Sequence, residues 1–445
     1  MGNEISGERF SREDFYRFSG RLRQETALLT QWYREGSIAE RPLRMGYELE
    51  AWLTDRSGRP APANDDFLER LSDPDVVHEL ARFNVELNGD PRWLRGDPFG
   101  STHRQLDSLW ERCSRVAGEM ELRPIMIGIL PTVSVSDLGL ASMSPLQRYR
   151  ALNAQVFELR NRRQMHVEIS GPRESISQDR RDVMLESAAT SLQLHLQLPP
   201  AKAARYFNAA MILSAATVAV AANSPLLFGR VLWQETRIPL FEQAVAVDPV
   251  DGARGVGAPS RVGFGTGYVR DSLLQLFREN LERYPVLLPQ CREVPPERLS
   301  HLRLHNGTIW RWNRPLVGFD DDGRCHLRLE HRVMAAGPTV IDVIANAVFF
   351  YGAMQACVDR QRPLEEEIPF AAAARNFQAA ARLGLQAELE WLNGGRVPLR
   401  ELLLQSLIPK AGQALERLGL DRDAWQPYLE IIRRRVATGH TGAAW

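Results

Sequence analysis

Four segments of this 445-residue chain alternate polar and apolar side chains with a period of two, and each carries acids or amides at polar positions. Residues two apart on a β-strand point to the same face of a sheet. In GYELE, at positions 46–50, this places the carboxylates of Glu48 and Glu50 side by side. Two carboxylates so close repel each other unless a cation or a shared proton relieves the repulsion. The alternation therefore predicts a fold built on a sheet and, on one face of it, a place for a divalent cation.

The other three segments repeat this pattern on separate strands. Glu86 lies in the apolar FNVELNG, Gln193 and His195 share a face in QLHLQ, and Glu330 and Arg332 share a face in LRLEHR. Each segment alone has an ordinary explanation: a solvent-facing strand, a structural histidine, or an acid–arginine pair across a sheet. Their recurrence favours one sheet face lined with ligands, and oxygen ligands suit Mg²⁺ or Mn²⁺.

The order of elements is mixed, without strict βα alternation. We expect a leading helix, strands entering a core, a buried Ala-rich helix after QLHLQLP, and helix almost throughout from Thr339 to the end. This order favours an α+β fold, with helices packed outside a sheet, over a doubly wound parallel fold. Further predicted elements are helices over 11–35, 74–82 and 100–122, a buried strand over 125–133, a polar linker over 172–180, and a strand over 307–312 opposite the strand 325–333.

Composition points to a small substrate. The 55 basic and 55 acidic residues give zero net charge, so no global field attracts nucleic acid or an anionic membrane. Only Lys202 and Lys410 are lysines, so bound phosphate would be held by arginine, backbone N–H groups or metal. The four cysteines show no CxxC spacing, which fits a reducing cytoplasm.

No membrane association is expected. The polar N-terminus lacks the apolar core of a secretory signal, and we interpret the match of MGNEIS to an acylation pattern as chance because no second membrane signal follows. The apolar runs 209–222 and 345–356 are too short to span a bilayer and predict buried helices.

Competing motifs are incomplete. GFGTGYV has Tyr268 where a dinucleotide fingerprint needs its third glycine, and no clear strand precedes it. The sequence contains no GxxxxGK[ST] loop, no HExxH pair and no GxSxG elbow.

The four motifs together resemble those of the glutamate–cysteine ligase family, within the glutamine synthetase-like superfamily. GYELE is similar to the GxExE strand, VELNG with PFGSTHRQL to the later glutamate strand and following segment of plant-type ligases, QLHLQLP to the HxHxS strand, and RLEHR to the ExR strand. AANSPLLFGR and WQETRIP resemble the stretch after the buried helix. Many relatives have histidine at the position of Gln193. Plant-type ligases, like this chain, have glutamine there. The resemblance runs from about Met45 to about Val333.

This resemblance implies a glutamine synthetase-like catalytic domain over 41–360, with a curved, mainly antiparallel sheet, after a helical segment 1–40 and before a helical region 361–445. It implies two or three Mg²⁺ or Mn²⁺ ions held by Glu48, Glu50, Glu86 and Glu330, with Gln193 or His195 completing the set. Arg332 is expected on the nucleotide phosphates or the acyl phosphate. The remaining residues expected to bind nucleotide or substrate are His195, Arg230, Arg237, Trp310 and Arg311, although surface positions for the first two arginines and core packing for the tryptophan are equally compatible with the sequence.

The implied activity is ATP-dependent joining of glutamate, activated as an acyl phosphate, to cysteine, a step in glutathione biosynthesis. The alternatives are a related ligase with another amine, a glutamine synthetase-like enzyme using ammonia, or a catalytically silent regulatory homologue. Guanidino phosphotransfer is disfavoured because no reactive-looking cysteine loop is present. A homo-oligomer is compatible with the sequence.

Overall fold

The computed structural model of the chain describes residues 5, 7–247 and 260–445. Most of MGNEIS and the first part of the Gly-rich segment 252–267 lie outside the described residues. The helices are α1 (Arg12–Arg34), α2 (Asn64–Leu71), α3 (Pro98–Glu119), α4 (Gln147–Leu159), α5 (Ala203–Val220), α6 (Arg237–Ala244), α7 (Leu274–Arg283), α8 (Ser300–Gly307), α9 (Val340–Val358), α10 (Phe370–Leu383), α11 (Leu399–Leu402), α12 (Ile408–Arg417) and α13 (Arg422–Thr438). The strands are β1 (Arg44–Thr54), β2 (Val76–His78), β3 (Asn84–Asn88), β4 (Arg92–Trp93), β5 (Arg123–Ile125), β6 (Met165–Ser170), β7 (Ser175–Arg180), β8 (Ser191–Leu198), β9 (Leu226–Leu227), β10 (Arg230–Val231), β11 (Val262–Gly263), β12 (Trp310–Arg311), β13 (Asn313–Phe319), β14 (Cys325–Ala335), β15 (Glu388–Glu390) and β16 (Arg396–Pro398).

A single large antiparallel sheet organises the molecule. Its strand order is β13-β14-β8-β1-β3-β2, and β4 and β5 pair with the two ends of β1. Every pairing in this sheet is antiparallel. The α+β fold with an antiparallel sheet and external helices, predicted from the sequence, is confirmed.

The central strand β8 is buried on both faces. On one face, Leu194 pairs with His331 of β14, and the ring of His331 stacks on Phe350 of α9 at 4.1 Å and lies 2.9 Å from Thr217 of α5. This apolar face therefore packs against α5 and α9. The intervening residues of β8 and β14 point to the opposite face of the sheet. A wet outer face for β8, one of the readings the sequence allowed, is not found.

The two most apolar helical segments are core helices. Pro200–Val220 and Val340–Val358 are 21 and 19 residues long, so their length alone would allow them to cross a bilayer, contrary to the expectation that they are too short. In the apolar 18-residue window of each segment, 89% and 83% respectively is buried inside the protein. Their hydrophobicity is thus accounted for by contact with the sheet and with each other, as the buried-helix prediction required.

Several local predictions were wrong because partners distant in sequence decide the conformation. The expected helix over 74–82 contains β2 instead, whose two valines pair with β3 at the sheet edge. The expected linker over 172–180 contains β7, which pairs with β6 in a separate hairpin. In the expected strand over 125–133, only the first residue, the last of β5, is in a strand.

The strand opposite β14 also differs from the prediction. It is β13, at 313–319, and only Trp310–Arg311 of the predicted 307–312 is extended, where it pairs with β11 in parallel. The C-terminal region is mainly helical as expected, with the short β15–β16 pair inside it. Arg435 of α13 fixes this region to the core by bonding to the Val220 carbonyl and to Asp342. The boundaries at 40 and 360 stay predictions, as does a homo-oligomer.

Candidate active site

The register of the sheet brings the predicted polar residues onto one face. Glu50 of β1 lies directly opposite Glu86 of β3. On the other side of β1, Glu48 lies opposite Gln193 of β8. Farther along β8, His195 lies opposite Glu330 of β14. Strands from distant parts of the sequence thus assemble one continuous polar surface.

Glu48, His195 and Glu330 form a compact set, here called the histidine group. One ligand atom from each of the three lies within 4.8 Å of the others. His195 Nε2 is 3.4 Å from Glu48 Oε1 and 3.8 Å from Glu330 Oε1. Both ring nitrogens of His195 are buried without a hydrogen-bond partner. Burial lowers the pKa of His195, so the ring is neutral near pH 7 and can offer a lone pair.

Glu50, Glu79 and Glu86 form a second set, here called the three-glutamate group, again with one oxygen from each within 4.8 Å of the others. Burial, and then the Glu50 charge, raise the pKa of Glu79 to about 7. Burial raises the pKa of Glu50 to about 7. The charge of Arg332 lowers this pKa and the charge of Glu86 raises it further. The pKa of Glu86 rises for the same reasons, burial and neighbouring carboxylates. The negative charges of these three carboxylates repel one another, and a bound cation would stabilise them.

Arginine side chains connect the two groups. Arg314 holds Glu330 through two hydrogen bonds of 2.6 and 2.8 Å, and Arg332 Nη1 bonds to the same carboxylate at 3.2 Å. Burial alone would raise the pKa of Glu330, but Arg314 and Arg332 outweigh it and lower the pKa below its ordinary value. Arg332 also donates to the amide oxygen of Gln193, whose Nε2 donates to Glu50 at 2.8 Å. Arg332 therefore stands between the two groups.

A cavity of about 320 Å³ opens over both groups. Its volume lies at the lower end of the range of roughly 300–1,000 Å³ found for small-molecule sites. Arginines line it as well as acids, and they include Arg303, Arg314, Arg328 and Arg332. Trp310 contributes an aromatic wall. The site thus offers anionic ligands on its floor and cationic donors around them, an arrangement suited to a metal-bound, multiply charged anion.

The structure separates the other predicted residues. Arg237 lines a recess that shares Glu50, Glu79 and Arg332 with the main cavity. Arg311 is buried but bonds to Asn280 and Glu279 and does not line the cavity. Arg230 is mostly exposed in the small β9–β10 hairpin.

Neither Arg230 nor Arg311 is brought into the site. Arg230 pairs at 3.0 Å with Glu174, because the hairpin directs its side chain along the surface. The terminal nitrogens of Arg311 instead bond to Asn280 at 2.6 Å and to Glu279 at 3.2 Å. The expectation that these two arginines bind phosphate or substrate is therefore not supported by their positions.

Glu79, Glu186, Arg314 and Arg328 are among the residues of the site that were not predicted from the sequence. Glu79 was assigned to a helix, although Val76 and Val77 before it are typical of a strand. Glu186 lies in a short 3₁₀ turn, lines both cavities, and burial raises its pKa to about 8. Arg314 and Arg328 fall at alternate positions of β13 and β14, so the same period-two argument that selected Arg332 could have found them.

The residues present fit divalent cations. The histidine group combines two carboxylates with a neutral imidazole whose ring nitrogens have no other partner, and the three-glutamate group gathers three buried oxygens that repel one another. Such oxygen-rich sets suit Mg²⁺ or Mn²⁺ better than softer metals. Gln193 is already bonded to Arg332 and Glu50, so His195 is the better placed of the two to complete the histidine group.

The fold is similar to known ligase structures. Over 92% of this chain and 84% of the other, it matches the glutamate–cysteine ligase of Francisella tularensis, solved in complex with AMP, with a TM-score of 0.56 and 12% sequence identity. A bifunctional glutathione synthetase from Pasteurella multocida matches 95% of this chain and 51% of its own, with a TM-score of 0.49 and 12% identity. No curated protein sequence is significantly similar to this chain.

The fold is glutamine synthetase-like, and the family that the chain matches is one of ATP-dependent carboxylate–amine ligases. Within that class the assignment is more specific. Residues 44–445 match the model of glutamate–cysteine ligase family 2, and the chain belongs to this family. The resemblance inferred from GYELE, QLHLQ and RLEHR is thereby confirmed.

Proposed function

We propose that the protein is a glutamate–cysteine ligase, which uses ATP to convert the γ-carboxylate of glutamate into an acyl phosphate and then joins it to the amine of cysteine. One observation carries the proposal. The histidine group and the three-glutamate group lie side by side on one sheet face, and Arg332 connects them through Glu330 and Gln193. Cation ligands and a two-pronged donor in one cavity are what phosphoryl transfer to a carboxylate requires, and their combination supports the proposal.

The roles of the residues follow from their chemistry. The five acids and His195 would hold two or three divalent cations, which supply charge neutralisation for the triphosphate. Arg332 donates to the phosphoryl oxygens as negative charge develops there, and Arg314 and Glu330 keep its neighbourhood ordered. A site for this reaction must limit the access of water, which would otherwise hydrolyse the acyl phosphate before the amine attacks it. No protein nucleophile is needed, because the substrate carboxylate itself attacks the γ-phosphate.

Arg303 and Arg328 are proposed to bind the anionic groups of the substrates. Both line the cavity beside the histidine group, and Arg328 precedes Glu330 by two residues on the same strand face. Trp310 provides an apolar wall for the nucleotide or the acceptor. We infer that the protein acts on small molecules in the cytoplasm.

The test is turnover with a panel of amines. Purified protein is incubated with Mg²⁺-ATP and glutamate, and ADP formation is measured with cysteine, ammonia and other small amines, with product masses determined for each. We expect cysteine to stimulate ADP formation most, with one γ-glutamylcysteine formed per ADP. A different preferred amine would identify a related ligase, and no stimulation by any amine would support the silent homologue. Omission of glutamate controls for simple ATP hydrolysis.

A further inference from the structure

The strand β14 loses its register at Arg332. The pairs on either side of the break are His331 with Leu194 and Met334 with Leu192. Arg332 and Val333 therefore oppose a single residue of β8, Gln193, which is the geometry of a β-bulge. A bulge bends its strand and redirects a side chain. Here the redirected side chain is the guanidinium that joins the two acid groups.

Arg237, the first residue of α6, donates hydrogen bonds to the backbone carbonyls at the bulge. Both of its terminal nitrogens lie 3.4 Å from the Arg332 carbonyl, and Nη2 also donates to the Val333 carbonyl. The guanidinium lies over the ring of Trp312 at 5.5 Å, and the whole residue is only 2% exposed. A planar fork with several donors can satisfy two adjacent carbonyls at once, as a lysine cannot.

Glu235 fixes the position of Arg237 in turn. Its carboxylate is fully buried and lies 3.4 Å from Arg237 Nε. It accepts hydrogen bonds from the Asn223 amide at 3.0 Å and from the Ser224 hydroxyl, both in the turn that follows α5. The carboxylate is therefore anchored to the backbone before it meets the arginine. The path runs from the end of a core helix, through two buried charges, to the bulge.

A buried ion pair of this kind is weak evidence for stability alone, since apolar residues of similar volume often serve as well. Substrate binding by Arg237 is also disfavoured, because its terminal nitrogens face backbone carbonyls and its Nε faces Glu235. We propose that Arg237 and Glu235 are positioning residues that hold the β-bulge so that Arg332 faces the acid groups. The proposal rests on the proposed function for its kinetic test but not for its structural one.

The kinetic test uses the double variant Glu235→Gln/Arg237→Met, which leaves no buried charge unpaired. We expect kcat to fall by about 100-fold, the loss typical of a displaced reacting group, while KM for ATP and for glutamate stays within about twofold. Combined with Arg332→Lys, the double variant should add little, because both changes act through the same guanidinium. A raised KM, or losses that multiply, would mean that Arg237 contacts substrate and would overturn the proposal.

Arg237→Lys provides a second variant if the double variant does not fold. It keeps the partner of Glu235 but cannot bond to both carbonyls, so kcat should fall by about tenfold at unchanged KM. Arg435→Gln is the matched control, since Arg435 is largely buried, paired with an acid and bonded to a backbone carbonyl, but does not line the cavity. It should lower the melting temperature and leave kcat per folded molecule unchanged. If Arg237→Lys also lowers the melting temperature and leaves kcat unchanged, Arg237 and Glu235 only stabilise the core and the positioning role is refuted.

A crystal structure of the double variant separates this inference from the proposed function, because it requires no turnover. We expect the Arg332 guanidinium to have moved away from the Gln193 amide oxygen, with the bulge flattened or shifted. An unchanged bulge would overturn the inference even if the wild-type protein is an active ligase. Conversely, a wild-type protein that turns over no amine would refute the proposed function and leave the structural result to decide on Arg237.

Discussion

Glu86→Gln should raise the melting temperature of the metal-free protein. In the metal-loaded protein this gain should be cancelled or reversed. Glu86 lies in the three-glutamate group, whose oxygens lie within 4.8 Å of one another. Two unit charges at this separation repel by about 3 kcal/mol at an effective dielectric constant of about 20. Protonation reduces the repulsion that is realised, because burial and the neighbouring carboxylates raise the pKa of Glu86 and so favour its protonated form. Glutamine removes the charge and keeps an oxygen for the bond from Asn88.

The expected shifts can be given in degrees. With an unfolding entropy of about 2.1 cal/mol/K per residue, a chain of this length gains roughly 1 °C in melting temperature for each kcal/mol. Glu86→Gln should therefore raise the melting temperature in EDTA by about 1 to 3 °C. In saturating Mg²⁺, a 10- to 100-fold loss of affinity removes about 1.4 to 2.7 kcal/mol of ligand stabilisation, which cancels or reverses the gain.

The assay is calorimetry of wild type and variant in EDTA and in saturating Mg²⁺. Glu25→Gln is the matched control, because Glu25 is equally buried but is bonded to His301 Nδ1 at 2.6 Å and to the Leu302 amide at 2.7 Å. Its neutralisation should lower stability in both buffers and leave the Mg²⁺-induced shift unchanged. If Glu86→Gln destabilises the EDTA-treated protein as Glu25→Gln does, the three glutamates are not a strained ligand set and the reasoning fails.

Three further substitutions address the remaining parts of the site. Glu330→Gln should lower Mg²⁺-dependent turnover by more than about 100-fold, because it removes a ligand charge and one partner of Arg314. The circular dichroism spectrum should be unchanged, and unchanged turnover would remove Glu330 from the site. Arg332→Lys should lower kcat by about 10²-fold, since a point charge replaces a two-pronged donor, and wild-type rates would make Arg332 a purely structural partner. Arg230→Gln should leave kcat and KM within about twofold of wild type, because its surface pair with Glu174 contributes little; a raised KM for ATP would return it to the site.

The convergence of the acids could be predicted because it depends only on strand alternation. Glu48, Glu50, Glu86 and Glu330 each occupy a position of period two, and a sheet that buries the intervening leucines must bring them to one face. The pattern also carries its own electrostatic argument, since repelling carboxylates need a cation. These parts of the site follow from local sequence and elementary geometry.

The remainder depends on contacts that local sequence does not encode. Glu79 enters the site only because an edge strand of three residues pairs with β3, and Glu186 only because a 3₁₀ turn lies against the cavity. Arg237, expected on phosphate or a substrate carboxylate, bonds to two carbonyls that lie at a register shift in β14, and local sequence does not encode this contact. Arg230 and Arg311 show the converse: an arginine near a motif in sequence can be directed elsewhere by its own partners.

The placement of β8 between β1 and β14 has a kinetic consequence. The paired residues of these strands, such as Glu48 with Gln193 and His195 with Glu330, are separated by well over a hundred positions of chain. Loops of that length must close before either pairing forms, which makes such topologies slow to fold. A partly folded species that lacks these pairings can contain the three-glutamate group of β1 to β3 but not the complete histidine group. A ligand that needs both groups can therefore act only on a chain that has already assembled its central strands. At a fixed Mg²⁺ concentration, refolding from denaturant should accordingly proceed at the same rate with and without ATP, and ATP should slow only unfolding.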